Sequence, residues 1–170
     1  MTEKQQNDIL ADWLRQYRAL IFKIVRSYAF TAMDRDDLFQ EITLQVWRSI
    51  PSFRGDCAVT TWLYRISLNT AIRFSQRERK RTETRTDLDD AHHVLMETDS
   101  NPDERLSWLY DQIAKLNEID RSITLLLLDG FSYREMASIV GITESNIGVR
   151  INRIKKQLTE KSKKHDFYGV

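Results

Sequence analysis

Hydrophobic and polar positions recur at helical spacing along most of the chain, most clearly near its C-terminus. Ser132 followed by Glu135 is typical of a capping box, and Gly141 suits the left-handed turn that ends a short helix. Thr143 can cap the next helix. At about 100° per residue, four aliphatic side chains share one face of that helix: Ile147, Ile151, Ile154 and Leu158. Residues 132–158 are therefore predicted to form a helix-turn-helix.

Apolar periodicity predicts five further helices. They cover residues 9–30, 34–50, 60–77, 102–116 and 120–128. Asp34 is the predicted N-cap of the second helix, Pro51 ends it, and Asn101 or Asp103 can cap the fourth. Because the chain has only 5 glycines and 2 prolines and almost no strand-like alternation, the expected fold class is all-α.

A break in the apolar pattern divides the chain into two small helical domains. We expect residues 1–78 to form the first domain, residues 79–102 a flexible, acidic linker, and residues 103–170 the second domain. His92 and His93 lie in the linker without companion ligands at metal-binding spacing, so no metal site is expected there.

Charge is unevenly distributed although the net charge is only +1. Residues 65–85 are rich in arginine, residues 87–104 contain no lysine or arginine, and residues 150–164 are basic again. The single cysteine, Cys57, excludes an internal disulfide and fits a reducing cytoplasm; we interpret it as a small loop residue rather than a redox sensor. The polar N-terminus and the absence of an apolar run near the roughly 20 residues that span a bilayer predict a cytoplasmic protein without membrane insertion.

The second helix of the helix-turn-helix carries a polar face opposite its aliphatic one. That face and its margins comprise Ser145, Asn146, Gly148, Val149, Asn152, Arg153 and Lys156. Small and amide side chains can approach base edges, while basic side chains can hold phosphates. The alternative is an ordinary helical hairpin with a solvated basic face. The capping box, turn glycine and aliphatic face together favour DNA binding.

A second candidate nucleic-acid surface lies on the predicted helix 60–77 and the loop before it. The loop contributes Phe53, Arg54 and Asp56, and the helix contributes Arg65, Asn69, Arg73, Gln76 and Arg77. The opposite side of this helix should face the core through Leu63, Tyr64, Ser67, Leu68, Ala71 and Phe74. An aromatic loop beside a basic track is what single-stranded nucleic acid requires. A solvated arginine face with Trp62 in the core is the alternative.

Several of these segments resemble a known family. The matching residues are the run from Asp36 to Glu41, Trp47-Arg48, Phe53-Arg54-Gly55-Asp56, and Thr61-Trp62-Leu63-Tyr64-Arg65-Ile66 through Asn69. They resemble region 2 of sigma factors, and more narrowly of the extracytoplasmic-function (ECF) group of the sigma-70 family. Residues 132–158 resemble region 4.2 of the same group.

The resemblance implies a promoter-specificity subunit of RNA polymerase. It implies that Asp37, Gln40, Glu41 and Arg48 bind the clamp helices of the largest polymerase subunit, and that the second domain meets the flap region. The loop and the helix face from Phe53 to Arg77 would bind the melted −10 element. The recognition helix, with Arg150 in a phosphate or supporting role, would read the −35 duplex. Members of the group are often held by an anti-sigma factor.

The recognition helix departs from the pattern of many relatives. Where they have Thr-Val-Lys/Arg-Ser-Arg, this chain has Asn146-Ile147-Gly148-Val149-Arg150. The basic residue at the Gly148 position is missing, and Val149 can contact a thymine methyl group. Leu116-Asn117 also stands where relatives often have Leu-Pro, which changes a helix boundary.

Two other classes of function explain less of the sequence. A stand-alone helix-turn-helix regulator would bind a palindromic duplex as a dimer, but it leaves the residues from Phe53 to Asn69 without a role. An enzyme is not supported, because the sequence has no phosphate-binding glycine loop, no recognisable nucleophile–base pair and no metal cluster. No cofactor is expected.

Overall fold

The computed structural model describes residues 1–85 and 104–165. The chain forms two compact units, Met1–Met96 and Glu97–Val170. Several predictions lie outside the described residues: the linker from residue 86 onward with His92 and His93, and the caps Asn101 and Asp103.

The described residues form α-helices with one short 3-10 turn and no strand. In the first unit these are α1 Glu3–Tyr28, α2 Ala32–Ser49, the 3-10 turn Ile50–Ser52 and α3 Val59–Arg85. In the second unit they are α4 Glu104–Ala114, α5 Glu118–Leu128, α6 Tyr133–Val140 and α7 Glu144–Lys164. The all-α prediction, with two helical domains, is confirmed. Among the described residues, no helix is both long and apolar enough to cross a membrane.

Helix α1 begins earlier than its apolar pattern predicts. Thr2 and Gln5 form a capping box, so the helix starts at Glu3 rather than near Ile9. Its polar first turns are held on α2, because Gln6 Nε2 donates to the Trp47 carbonyl at 2.6 Å and Trp47 Nε1 donates to Asn7 Oδ1 at 2.8 Å. Long-range hydrogen bonds thus stabilise a segment that has no apolar periodicity.

Two other boundaries in this unit differ from the prediction. The N-cap of α2 is Thr31, whose hydroxyl accepts the backbone N–H of Asp34 at 3.0 Å, and Asp34 instead lies in the first turn. Helix α3 continues to Arg85, beyond the predicted end of both the helix and the first domain. Its last turns are exposed and contain an Arg81–Glu78 ion pair at 2.8 Å, so no apolar residues mark the extension.

The core of the first unit lies where α1, α2 and α3 meet. The six residues predicted to face inward from α3 are all buried: Leu63, Tyr64, Ser67, Leu68, Ala71 and Phe74. Ile24 of α1 and Ile42 of α2 are also fully buried, and each of these helices packs against α3. This core leaves the opposite side of α3 in contact with solvent.

The helix-turn-helix is present as predicted. Ser132 and Glu135 form a complete capping box, and hydrogen bonds from the Ser132 backbone and hydroxyl lower the pKa of Glu135. Gly141 ends α6 with φ +81°, and the Thr143 hydroxyl caps α7. The aliphatic residues of α7 pack inward, with Ile147, Ile151 and Ile154 buried and Leu158 half-buried. Helix α7 continues past Leu158 to Lys164.

Candidate nucleic-acid interface

The predicted recognition face is solvent-exposed along the first half of α7. Val149 is 65% exposed although it is aliphatic, which leaves its methyl groups available to a partner. Six of the eight residues assigned to −35 binding are exposed: Ser145, Asn146, Val149, Asn152, Arg153 and Lys156. Gly148 and Arg150 are half-buried.

The surface beside Gly148 is formed by Tyr133, the first residue of α6. A Cβ atom built on Gly148 would lie 3.6 Å from Tyr133 Cε2, which is ordinary van der Waals contact. Tyr133 is 41% exposed, so its ring is part of the surface next to the recognition helix. Tyr133 is not among the residues predicted from the sequence; its position immediately after the Ser132 cap is the signal that could have indicated it.

Asp120 joins α5 to the recognition helix. Its two carboxylate oxygens accept hydrogen bonds from Arg150 Nη1 and Arg153 Nη2, both at 2.7 Å. Burial of Asp120 opposes ionisation, but hydrogen bonds from Arg150, Asn117 and Arg153 outweigh it, so the pKa of Asp120 lies below its usual value. Asp120 is not among the residues predicted from the sequence, because an acidic residue in the first turn of a helix is ordinary by itself.

The two arginines of α7 have different surroundings. The Arg150 side chain is 27% exposed and that of Arg153 is 59% exposed. Arg150 also donates from Nε to Asn146 Oδ1 at 2.9 Å, one turn earlier on the same helix. Arg150 therefore supports neighbouring side chains within the domain, while Arg153 remains accessible to phosphate.

An aromatic cluster anchors the loop that precedes α3. Phe53 lies between two tryptophan rings, with centroid distances of 5.3 Å to Trp13 and 5.4 Å to Trp62. Trp62 Nε1 also donates to Ser49 Oγ at 3.4 Å. Phe53 and Trp62 are both half-buried, so Trp62 is neither fully in the core nor free in solvent. The cluster fixes the loop while leaving part of the Phe53 side chain accessible.

The structure places most of the predicted −10 residues on one exposed surface. Asn69, Arg73 and Arg77 recur at four-residue spacing along the solvent side of α3, and Arg65, one turn earlier, is half-buried. Arg54 and Asp56 are exposed in the preceding loop, where Gly55 has φ +77°. This arrangement combines basic side chains, an amide and a fixed aromatic loop.

Arg77 links this surface to α2. Its guanidinium forms an ion pair with the Glu41 carboxylate at 2.5 Å, and the two side chains are 56% and 28% exposed. From the sequence, Arg77 is predicted to belong to the −10 surface and Glu41 to the polymerase surface. The ion pair brings these two predicted surfaces into contact.

The predicted polymerase-binding face of α2 has an apolar component that the sequence analysis did not include. Asp37, Gln40 and Arg48 are exposed, and Glu41 is half-buried. Gln40 also borders an open groove of about 290 Å³ between α1 and α2. Its other lining residues are Leu10, Phe39, Thr43, Leu44 and Trp47. Leu44 is 44% exposed, so the face joins a polar margin to an apolar groove.

Two known families match the chain, one in each unit. The sigma-70 region 2 family matches residues 13–81, and the sigma-70 region 4 family matches residues 106–158. The first match contains α2, the aromatic loop and the exposed side of α3, and the second contains the helix-turn-helix.

Relatives of known function extend the match over most of the chain. The chain is 34% identical over 140 residues to an ECF RNA polymerase sigma-E factor of Haemophilus influenzae, covering 75% of this chain and 74% of that protein. It is 31% identical over 159 residues to the ECF RNA polymerase sigma-E factor of Escherichia coli K12, covering 86% and 82% respectively.

Two solved structures share the fold. One is the sigma factor RpoE from Bartonella quintana in complex with the anti-sigma factor NepR, with a TM-score of 0.71, 23% identity, and coverage of 90% of this chain and 96% of that chain. The other is CnrH in complex with the cytosolic domain of CnrY, with a TM-score of 0.66, 19% identity, and coverage of 94% and 91%. Taken with the two matched regions and the relatives above 30% identity, these findings show that the chain belongs to the ECF group of the sigma-70 family of RNA polymerase sigma factors.

Proposed function

We propose that the two units of this sigma factor divide promoter recognition between them. The N-terminal unit binds core RNA polymerase and the melted −10 strand, and the C-terminal unit reads the −35 element as duplex. The observation that carries this proposal is the exposed face of α7 on a complete helix-turn-helix. This face combines polar side chains with the aliphatic Val149, which is 65% exposed. Sigma factors are DNA-binding transcription initiation factors, and we propose no enzymatic activity and no cofactor for this chain.

At the −35 element, side chains of α7 enter the major groove. Val149 contacts a thymine methyl group, and the Asn152 amide hydrogen-bonds a base edge. Lys156 and Arg153 lie at the exposed margin of the helix and bind phosphates. Ser145 and Asn146 belong to the first turn of α7, the part of a recognition helix that reaches base edges.

At the −10 element, the exposed side of α3 and the preceding loop hold the melted strand. Arg65, Arg73 and Arg77 provide positive charge along the backbone path, while Asn69 offers hydrogen bonds to an unpaired base. Phe53 adds a partly exposed aromatic ring held by its two tryptophan neighbours, and Arg54 and Asp56 flank the turn.

Core polymerase binds on α2. An apolar groove with a polar margin suits a protein partner, because burial of the groove supplies affinity and the charged margin supplies specificity. The margin consists of Asp37, Gln40, Glu41 and Arg48, and the partner is the clamp-helix region of the largest polymerase subunit. The C-terminal unit contacts the flap region. We further propose a cytoplasmic location. We also propose control by an anti-sigma factor, since the structural neighbour RpoE is a sigma factor in complex with one.

The test combines the full chain with bacterial core RNA polymerase and a genomic promoter library. We expect transcript starts that require both components and share upstream elements. A matched pair of variants locates polymerase binding: Leu44→Asp, in the groove, should abolish it, whereas Met33→Asp, at an exposed α2 residue outside the groove, should not. Tight binding to a palindromic duplex as a dimer, without polymerase binding, would instead establish the stand-alone regulator.

A further inference from the structure

Three side chains form a hydrogen-bonded chain from the domain interior to the recognition surface. Asp120, which is 4% exposed, accepts from Arg150 Nη1 at 2.7 Å. Arg150 then donates from Nε to Asn146 Oδ1 at 2.9 Å. Asn146 is exposed in the first turn of α7. A buried carboxylate is thereby connected through one arginine to a side chain that faces the partner.

The chemistry of arginine determines which end of the Asn146 amide faces inward. A guanidinium has only N–H donors, so the amide oxygen must lie against Arg150 Nε. Rotation of the amide by 180° would place its NH₂ group against another donor. The contact therefore leaves the two N–H donors of Asn146 for hydrogen bonds outside the protein.

The position of Arg150 is itself fixed by its partners. Asp120 is held by Asn117, whose Nδ2 donates at 2.8 Å, and by Arg153 at 2.7 Å. The Arg150 side chain is only 27% exposed. The Asn146 backbone N–H is also occupied, since it donates to the Thr143 hydroxyl at 3.2 Å. Both the backbone and the side chain of Asn146 are thus preorganised before DNA binds.

We propose that Asp120 and Arg150 are positioning residues that fix Asn146 as a hydrogen-bond donor, so that Asn146 specifies guanine in the −35 element. Guanine presents two neighbouring acceptors, N7 and O6, in the major groove. Bidentate recognition of adenine requires the amide oxygen and the NH₂ group to face the base edge together, and the hydrogen bond from Arg150 Nε holds that oxygen towards the half-buried arginine instead. This inference rests on the proposed −35 function of α7.

The first experiment measures base preference with holoenzyme assembled from core polymerase and the full chain, on a duplex library randomised through the −35 element. Asn146→Ala identifies the base pair that Asn146 reads, and we expect a loss of roughly tenfold preference for guanine there. Arg150→Ala should reduce discrimination against adenine at the same pair, because the amide can then turn. Arg153→Ala is the matched control, since Arg153 binds the same carboxylate without contacting Asn146. It should weaken binding to all sequences and leave the preference unchanged.

A second variant covers the case in which Arg150→Ala fails to fold. Asn146→Asp keeps an oxygen for Arg150, in a helix turn that favours negative charge, but removes both donors. Guanine preference should be lost and cytosine, whose N4 group is a donor, should be preferred. The inference is overturned if the wild type prefers adenine at this pair, if Asn146→Asp keeps guanine, or if Arg153→Ala shifts preference as much as Arg150→Ala. Those results leave promoter-dependent initiation intact, whereas its absence in the wild type would refute the proposed function as well.

Discussion

Replacing Asp120 by alanine should destabilise the C-terminal unit while leaving the N-terminal unit unchanged. Asp120 accepts hydrogen bonds from Arg150 and Arg153 on α7 and from Asn117 at the start of α5. Its side chain is 6% exposed, so water cannot replace these partners in the folded state. The substitution therefore removes both hydrogen bonds by which Arg150 and Arg153 connect the recognition helix to α5.

The two arginines should contribute unequally. A hydrogen bond to a charged group contributes about 1.5–3 kcal/mol, and the value applies to Arg150 because both side chains are largely shielded. Arg153 is 59% exposed, and exposed ion pairs contribute about 1 kcal/mol or less because of solvent screening. We therefore expect Asp120→Ala to cost about 2–4 kcal/mol, Arg150→Ala about 2 kcal/mol, and Arg153→Ala less than about 1 kcal/mol.

Native-state amide hydrogen exchange of the full chain separates the two units. Protection of buried amides in α5 and α7, such as those of Ile123 and Ile151, should fall in proportion to these costs. Protection of the buried Ile24 amide in α1 should not change, which provides an internal control. The reasoning is refuted if Arg150→Ala and Arg153→Ala reduce protection equally, or if Asp120→Ala costs less than about 0.5 kcal/mol.

Four further predictions concern pH and DNA binding. The pKa of Asp120 is lower in the folded protein than its unfolded value of 3.8. The ionised carboxylate therefore contributes its full stabilisation of the fold above pH 3.8, and this contribution is lost as the pH falls through the lower folded pKa. The difference in unfolding free energy between the wild type and Asp120→Asn, measured by urea unfolding, should become smaller as the pH is lowered through this range. Asn69→Ala should impair open-complex formation, followed by permanganate reactivity, more than polymerase binding, and equal loss would count against base capture. Lys156→Ala should weaken duplex binding for all sequences and reduce the slope of log affinity against log salt concentration by up to about one. Val149→Ala should instead alter the preference among −35 bases by about 1–3 kcal/mol.

The parts of the fold that could be predicted from the sequence depend on local signals. The capping box of Ser132 and Glu135, the left-handed Gly141 and the aliphatic face from Ile147 onward lie within a few turns of one another. Each constrains backbone geometry irrespective of the rest of the chain. The helix-turn-helix is therefore predictable from the sequence, whereas the continuation of α7 past Leu158 is not, because its basic last turns carry no apolar pattern.

The first turns of α1 and the extension of α3 could not be found from apolar periodicity. Residues 3–8 are polar, and they are held by hydrogen bonds to Trp47, about 40 positions away along the chain. The last turns of α3 are stabilised by helix-forming charged residues that remain in solvent. In both cases apolar periodicity does not indicate a helix, because these turns contribute few apolar side chains to the core.

The same distinction explains why the sequence leaves the role of Arg150 open between a phosphate contact and a supporting one. Residue type and helical phase place Arg150 and Arg153 on neighbouring positions of one helix, and nothing local distinguishes a phosphate contact from a supporting one. The two arginines differ because both bind Asp120, 30 positions earlier than Arg150, but the Arg150 side chain is more deeply buried than that of Arg153. Since Arg150 is held between Asp120 and Asn146, its charge acts through the orientation of another side chain. A substitution at Arg150 should thus change which base is preferred, whereas a substitution at Arg153 should change how tightly every sequence is bound.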